Sequence, residues 1–191
     1  YARSLAAALA YLMIGQQDAV GTMLFADHPQ AYVPPRSVRS HLDVVLRTLA
    51  AARTGGRTRL GPALHELAER IKRRGLVVLF SDLLDSPAEV LSGLQHFRHR
   101  NHEVIVFHIL DPDEIAFPYT DASTFVDLET GAQLTTEPWE IARRYRENLT
   151  AWRDRYARAC REQRVDYVPL DTSTPFDRAL LTYLEKRATL L

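Results

Sequence analysis

The chain has 191 residues, 46% of them apolar and 25% charged, which is typical of one globular domain that buries its own core. Its 24 basic and 24 acidic side chains cancel, so net charge selects neither nucleic acid nor an anionic membrane as a partner. A single cysteine, Cys160, excludes an internal disulfide and favours a cytoplasmic location. The longest apolar run is far too short to span a membrane, and we expect no signal peptide. Because Tyr1 already lies within a helical pattern, we expect the chain to be part of something longer.

The first half of the chain predicts three helices and two short strands. Residues 3–14 are apolar almost all round, which predicts a largely buried helix. Two strands are predicted at 18–25 and 31–33, the second one ended by a pair of prolines. Ser37 is the expected N-cap of a helix that continues to about Ala51, and a third helix is predicted over 60–73.

The second half predicts alternating strands and helices. Buried strands are expected at 76–80 and 103–110, because uninterrupted apolar runs are typical of a parallel sheet. Between them, Ser86 begins a capping box for a helix that ends near Asn101. The remaining elements are a hairpin at 124–128 and 133–135, a helix with an inner stripe from Ile141 to Cys160, a strand at 165–170, and a helix capped by Thr174.

This alternation predicts an α/β fold with three layers, in which helices flank a mainly parallel sheet. The hairpin is expected to be an insertion around 111–136 within a single domain that covers residues 1–191. In open sheets of this type, ligands bind beyond the carboxyl ends of the strands.

Three polar features are expected at that edge of the sheet. They are the hydroxyl of Thr58 in a glycine turn, Asp82 directly after the strand at 76–80, and Asp111 directly after the strand at 103–110. Hydroxyl and carboxylate oxygens suit Mg²⁺ or Mn²⁺. The alternative interpretation is that these residues only shape turns and helix caps.

Other polar residues favour a structural role. His96, His99 and His102 recur every third residue at a helix end, which predicts a solvated last turn rather than a metal site. Acidic residues interleave with the arginines between 143 and 164, so a mixed solvated face is expected there and no nucleic-acid site. Cys160 lies on the inner stripe of its helix and is expected to be buried, and Asp85 is expected to be a loop residue.

Several motifs, taken in order, resemble one bacterial family. They are DAVGTMLF, PPRS, GGRTRLGPAL, RRGLVVLFSDLLD, HEVIVFHILDPDE and RVDYVPLDTSTPFDRALLTYL, and together they cover essentially the whole chain. The sequence is similar to the von Willebrand factor A-like domains of unknown function that are encoded beside MoxR-type AAA+ ATPases. The resemblance implies the von Willebrand factor A fold, a central and mostly parallel sheet with helices on both faces.

The resemblance also implies a metal-ion-dependent adhesion site, of which the sequence contains only a part. Thr58 matches the threonine of the second loop of that site, and Asp82 matches the aspartate of the third. The first loop, Asp-x-Ser-x-Ser, does not occur in the sequence, and in the family it follows a central strand that directly precedes the first helix of this chain. We therefore expect Mg²⁺ or Mn²⁺ to bind weakly or not at all, and the sheet to lack its first central strand.

The function implied by the resemblance is that of a non-enzymatic protein-binding module. In such a site an acidic side chain of the partner completes the coordination of the metal, and the implied partner is a MoxR-type AAA+ ATPase in chaperone-like complex assembly. Two alternatives stay open, a metal-free scaffold of the same fold and a metal-dependent phosphohydrolase. The exposed edges of the incomplete sheet also suggest a homodimer.

Overall fold

The computed structural model describes residues 1–26, 28–52, 59–127 and 130–188, the last three of these by their backbone alone. The described elements, in chain order, are α1 (Ala2–Gly15), β1 (Val20–Phe25), β2 (Pro29–Arg36), α2 (His41–Ala50), α3 (Leu60–Arg70), β3 (Leu76–Ser81), α4 (Pro87–His99), β4 (Glu103–Leu110), α5 (Pro112–Ala116), β5 (Ser123–Val126), β6 (Gln133–Thr136), α6 (Pro138–Glu162), β7 (Asp166–Asp171) and α7 (Phe176–Ala188).

The centre of the fold is a parallel sheet of three strands in the order β3-β4-β7. Strand β4 is central, with Leu76 opposite Glu103 on one side and Leu110 opposite Asp171 on the other. Every residue of β4 after Glu103 is buried, as the uninterrupted apolar run predicts. The expected parallel sheet flanked by helices is therefore confirmed for these three strands.

Helices cover both faces of this sheet. On one face, α1 and α7 pack against β4 through Leu5, Phe107 and Tyr183. On the other face, α3, α4 and α6 enclose a larger core, in which Phe97 and Tyr156 are fully buried. The prediction that Cys160 is buried on the inner stripe of α6 is confirmed, and burial raises the pKa of its thiol to about 12.

Strands β1 and β2 form a separate antiparallel sheet. The prediction that Pro34 and Pro35 end the second strand was wrong, because β2 continues to Arg36. The register of β1 against β2 shifts between Val20 and Thr22. Gly21, in this segment, lies so close to β2 that a Cβ atom on it would come within 2.9 Å of the backbone nitrogen of Pro35. This irregularity accommodates residues that cannot donate a ladder hydrogen bond.

The two sheets are joined through helices rather than through strand pairing. Helix α1 contacts both β1 and β3, and α3 also contacts β1. Phe25 at the end of β1 packs against the large core between the parallel sheet and α3, α4 and α6. Among the described residues, β1 pairs only with β2 and β3 only with β4, so each has one edge without a ladder partner.

Two helix starts were predicted correctly and one was not. Helix α3 begins at Leu60, and α4 begins at Pro87 after Ser86, although the Ser86 side chain makes no capping hydrogen bond. Helix α2 begins at His41 rather than after Ser37. Helix α1 is also less buried than expected, because Tyr11 is 66% exposed and Leu12 39%. An all-round apolar sequence cannot be buried all round when the helix packs on one side only.

The hairpin was predicted correctly and one helix was missed. Strands β5 and β6 pair antiparallel, with Thr124 opposite Thr135. The short helix α5 lies just before them, and its N-cap Asp111 accepts a hydrogen bond from the amide of Asp113. The composition of this region is typical of strands and turns, so the five-residue helix α5 was not predicted. Contacts with α6 hold this helix in place.

Candidate functional site

The carboxyl ends of β3 and β4 form one rim of the parallel sheet. Ser81 at the end of β3 is opposite His108, two residues before β4 ends. Asp82 directly follows β3, and Asp111 directly follows β4. Because the strands run parallel, two carboxylates from separate loops lie at the same edge of the sheet.

The loop after β3 is held by a set of short-range hydrogen bonds. The hydroxyl of Ser81 accepts from the amide of Leu83 at 3.0 Å, and the carboxylate of Asp82 accepts from the amide of Leu84 at 3.2 Å. Leu83 is fully buried although its φ is 58°, an uncommon conformation for a residue other than glycine. The buried hydroxyl of Tyr156 donates to the carbonyl of Leu83 at 3.3 Å. The loop therefore turns sharply and leaves the side of Asp82 exposed to solvent.

Asp111 is held in place by both of its carboxylate oxygens. Its Oδ1 atom accepts from the amide of Asp113 at 2.9 Å, and its Oδ2 atom accepts from the hydroxyl of Thr172 at 3.0 Å. Thr172 follows β7 directly. The loops after all three parallel strands thus contribute oxygen atoms to this rim.

Glu114 in α5 adds a third carboxyl group. Its pKa is raised, first because the side chain is partly buried, and then because Asp82 and Asp111 repel its negative charge. A hydrogen bond from the backbone of Asp111 partly opposes this rise in pKa. Each of these carboxyl groups thus lies within electrostatic reach of Glu114. We call Asp82, Asp111 and Glu114 the acidic rim.

Thr58, the other predicted metal ligand, lies outside the described residues. Leu60, two positions later in the chain, is described, and its amide donates to the Oδ2 atom of Asp85 at 2.7 Å. The amide of Ser86 donates to the other oxygen of the same carboxylate at 2.6 Å. Asp85, which was predicted to be a loop residue only, therefore joins the start of α3 to the loop that carries Asp82.

The donor atoms of the acidic rim suit a hard divalent cation, because carboxylate and hydroxyl oxygens are the ligands that Mg²⁺ prefers. A bound cation would also offset the repulsion that raises the pKa of Glu114. Within the described residues, no group of three or more histidine, cysteine, aspartate or glutamate side chains is placed to hold a metal ion. Any cation at this rim would therefore need further ligands.

The sequence profile of a family described as "Protein of unknown function DUF58" matches residues 1–166. The chain belongs to the DUF58 family. An uncharacterized protein of Mycobacterium tuberculosis is 30% identical over 166 residues, which cover 84% of this chain and 48% of that protein. An uncharacterized protein of Mycobacterium avium is 35% identical over 102 residues, which cover 52% of this chain and 59% of that protein. The DUF58 chain thus spans about half the length of the curated relatives it matches.

Two solved structures from Bacteroides share the fold of the DUF58 chain. A conserved hypothetical protein, BatB, from Bacteroides thetaiotaomicron has a TM-score of 0.61 at 15% identity, covering 98% of this chain and 87% of its own. An aerotolerance-related membrane protein from Bacteroides fragilis, with multiple mutations to serines, has a TM-score of 0.58 at 16% identity, covering 96% and 88%. In the described part of the DUF58 chain, no helix is both long and apolar enough to cross a membrane.

His108 lies just beneath the acidic rim and was not singled out from the sequence. It is buried in β4, its Nδ1 atom is 2.5 Å from the hydroxyl of Tyr167, and its ring meets the edge of Trp152. Burial lowers its pKa to about 4, although the nearby backbone of Asp82 opposes this change. Its Nε2 atom is buried and makes no hydrogen bond of normal geometry within the described residues. A histidine within the apolar run of β4 was the only signal for it in the sequence.

The histidines near the end of α4 are not the solvated turn that was predicted. His102 is only 2% exposed, because it packs against Phe97 and its Nδ1 atom accepts from the amide of Gly75 at 3.2 Å. His96 contacts a histidine of another helix, and His99 is exposed. The three histidines are regularly spaced in the sequence but lie in three different environments.

Proposed function

We propose that this chain is a protein-binding module of the von Willebrand factor A type, whose acidic rim takes part in holding Mg²⁺ or Mn²⁺. The ion would link the module to an acidic side chain of a protein partner. This function requires no catalytic residue in the chain, and the ion supplies an open coordination position for a carboxylate.

The observation that carries the proposal is the convergence of Asp82, Asp111 and Glu114 on one edge of the sheet. Asp82 and Asp111 each repel the negative charge of Glu114, and a cation bound beside them would offset this repulsion. Asp82 is exposed on a loop that is held by hydrogen bonds, so it would hold the ion through water. The amide contact between Leu60 and Asp85 supports a role for Thr58, since it ties the start of α3 to this loop.

The arrangement of the sheets supports the fold that the proposal requires. In a von Willebrand factor A fold, a parallel strand lies between the positions that β1 and β3 occupy here, and its carboxyl end carries the Asp-x-Ser-x-Ser loop. The edges of β1 and β3 that lack ladder partners, and the helix α1 that contacts both strands, leave a consistent place for such a strand. The Asp-x-Ser-x-Ser loop at the carboxyl end of that strand would then reach the acidic rim.

The partner we propose is a MoxR-type AAA+ ATPase, in a chaperone-like role in complex assembly. The basis is the resemblance of the sequence motifs, together with a rim whose ion would accept a carboxylate. In this arrangement the partner contributes one glutamate or aspartate, and neither protein alone completes the coordination shell.

Mn²⁺ titration followed by NMR tests the proposed ion site, because paramagnetic broadening reports weak binding and its location. We expect the amide signals of Leu84 and Asp113 to broaden first, since these amides donate to Asp82 and Asp111. Asp82→Asn should reduce this broadening several-fold. Asp43→Asn, which removes an exposed carboxylate on α2, is the matched control. Equal broadening in the wild type and in Asp82→Asn would show that the site is wrong.

A second candidate is a metal-free scaffold of the same fold. It is favoured because the three carboxyl groups of the acidic rim, like every other such group within the described residues, are not placed to hold a metal ion by themselves. Binding of the purified ATPase, measured with and without EDTA, separates the two functions. Loss of binding with EDTA, and its return on adding Mg²⁺, supports the ion-dependent module, whereas binding that ignores EDTA supports the scaffold.

A further inference from the structure

Helices α3 and α4 approach each other unusually closely. A Cβ atom on Gly93 would lie 2.7 Å from the Cβ of Leu64, and one on Gly61 would lie 2.7 Å from the Cβ of Glu89. Only glycine permits this approach without a shift of the neighbouring helix. Side chains on the outer side of this contact can therefore reach across from one helix to the other.

His65 of α3 and His96 of α4 meet at this contact. Their Nδ1 atoms are 3.0 Å apart, and their ring centroids are 5.2 Å apart. Both side chains are partly exposed. Two nitrogen lone pairs at this distance repel each other unless a proton or a metal cation lies between them.

The outer nitrogen of each ring also has an oxygen partner. The Nε2 atom of His96 is 3.0 Å from the carboxylate of Glu69, which also accepts from Arg100 at 3.3 Å. The Nε2 atom of His65 is 3.4 Å from the hydroxyl of Ser92. If both Nε2 atoms carry the ring proton, both are donors to oxygen and both Nδ1 atoms are free as ligands. Histidines that bind metals are usually oriented in this way.

We propose that His65 and His96 bind one transition-metal cation of the Zn²⁺ class through their Nδ1 atoms. Two nitrogens that each lie at about 2.0–2.1 Å from one ion are about 2.9–3.4 Å apart, so the observed spacing needs little adjustment. Imidazole is a ligand for zinc, nickel and copper rather than for Mg²⁺. This site is therefore chemically distinct from the acidic rim.

Water fills the other coordination positions of the ion. Within the described part of the chain, no third histidine, cysteine or carboxylate completes the set. A cleft of about 260 Å³ lies beside His65 and Ser92, and Arg59 and Glu89 also line it. Because the side chains of both His65 and His96 are partly exposed, the ion has access from solvent and its water ligands have room.

Titration of the chain with ZnCl₂ tests this site, with calorimetry for affinity and ¹⁵N NMR of the imidazole rings for coordination. We expect one Zn²⁺ per chain, with both rings adopting the Nε2-protonated form and both Nδ1 signals shifting. His65→Ala and His96→Ala should each weaken binding by about tenfold or more. His99→Ala, which removes an exposed histidine of the same helix, should leave binding unchanged.

The NMR measurement needs no variant, so a folding defect in a mutant would not leave the proposal untested. Nδ1 signals of the wild type that do not move with Zn²⁺ would overturn the proposal and assign a shared proton to the pair. Equal Zn²⁺ affinity in the wild type and in the two alanine variants would overturn it as well.

A variant of Glu69, the oxygen partner of His96 Nε2, tests whether this contact orients the imidazole ring for metal binding. Glu69→Gln keeps both histidine ligands but weakens the hydrogen-bond acceptor for His96 Nε2. Zn²⁺ affinity should therefore fall, but by no more than about tenfold. Glu66→Gln is the matched control, because Glu66 lies on the same helix and pairs with Arg70 instead.

Discussion

Strands β4 and β1 have similarly apolar sequences but different surroundings. Strand β4 is paired on both sides and is buried from Val104 to Leu110. Strand β1 is paired with β2 alone in the described structure, and none of its residues is fully buried. Apolar composition predicts that both are strands, but the number of neighbouring strands decides how much of each is buried.

The two strands also differ in how many of their edges are paired. The backbone groups of β4 are paired on both edges, whereas β1 and β3 each present one edge without a ladder partner among the described residues. Such edges are places where another strand can add. The stability of the domain should therefore depend on β4 far more than on β1.

The largest expected effect is a cavity in the paired strand. Phe107→Ala removes a fully buried ring that stacks on Phe80 and meets the edge of Tyr183. We expect it to lower the free energy of unfolding by about 3–5 kcal/mol. Met23→Ala in β1 should cost about 1 kcal/mol, because that side chain is only partly buried. Urea denaturation measures both, and equal losses would contradict the comparison.

A smaller effect concerns the polar residue inside β4. His108 is neutral in the folded state, with its pKa lowered to about 4 from 6.5 by burial. Between these values the unfolded chain binds a proton that the folded chain does not, so stability falls as the pH is lowered from 6.5 towards about 4. The total loss is about 3 kcal/mol, from about 1.4 kcal/mol for each pH unit.

His108→Gln cannot take up this proton, so its free energy of unfolding should decline less over the same pH range. Urea denaturation at half-unit pH steps measures the slope. His99→Gln is the control for an exposed histidine and should keep the slope of the wild type. A slope in His108→Gln that equals that of the wild type would show that His108 is protonated in the folded protein.

The smallest effect is expected at the acidic rim, where β4 leaves the core. The folded-state pKa of Glu114 is raised, so its ionisation is less favourable in the folded than in the unfolded chain. The protonated carboxyl of Glu114 therefore stabilises the folded chain fully below its ordinary pKa of 4.5. This stabilisation is lost as the pH rises through the raised folded-state pKa. Glu114→Gln should then be more stable than the wild type at neutral pH, by less than about 1 kcal/mol, because the group is partly exposed.

Thermal unfolding without divalent cations checks this prediction, with the wild type and Glu114→Gln converging in melting temperature below pH 4.5. Glu140→Gln on α6 removes an exposed carboxylate and is the matched control. A Glu114→Gln variant that is less stable than the wild type at pH 7 would show that the charge of Glu114 is stabilised by a partner.

Part of the candidate site could be predicted and part could not. Asp82 and Asp111 were expected at one edge because each directly follows a buried strand, and β3 and β4 are indeed parallel neighbours. Glu114 was not expected, because α5 has only five residues and no periodic pattern. The contact of His65 with His96 joins residues 31 positions apart, and no local pattern contains it. The proposed role of Thr58 stays a prediction.

Apolar periodicity and strand-length apolar runs are local properties, so the order and type of the main elements can be predicted from the sequence alone. The positions of Asp82 and Asp111 directly after strands can be predicted in the same way. Three other features appear only in the folded molecule: which strands are neighbours, the left-handed conformation of Leu83 beside the hydroxyl of Tyr156, and the close approach at Gly93 that brings two histidines together. These features depend on distances between elements far apart in the chain, and packing sets those distances.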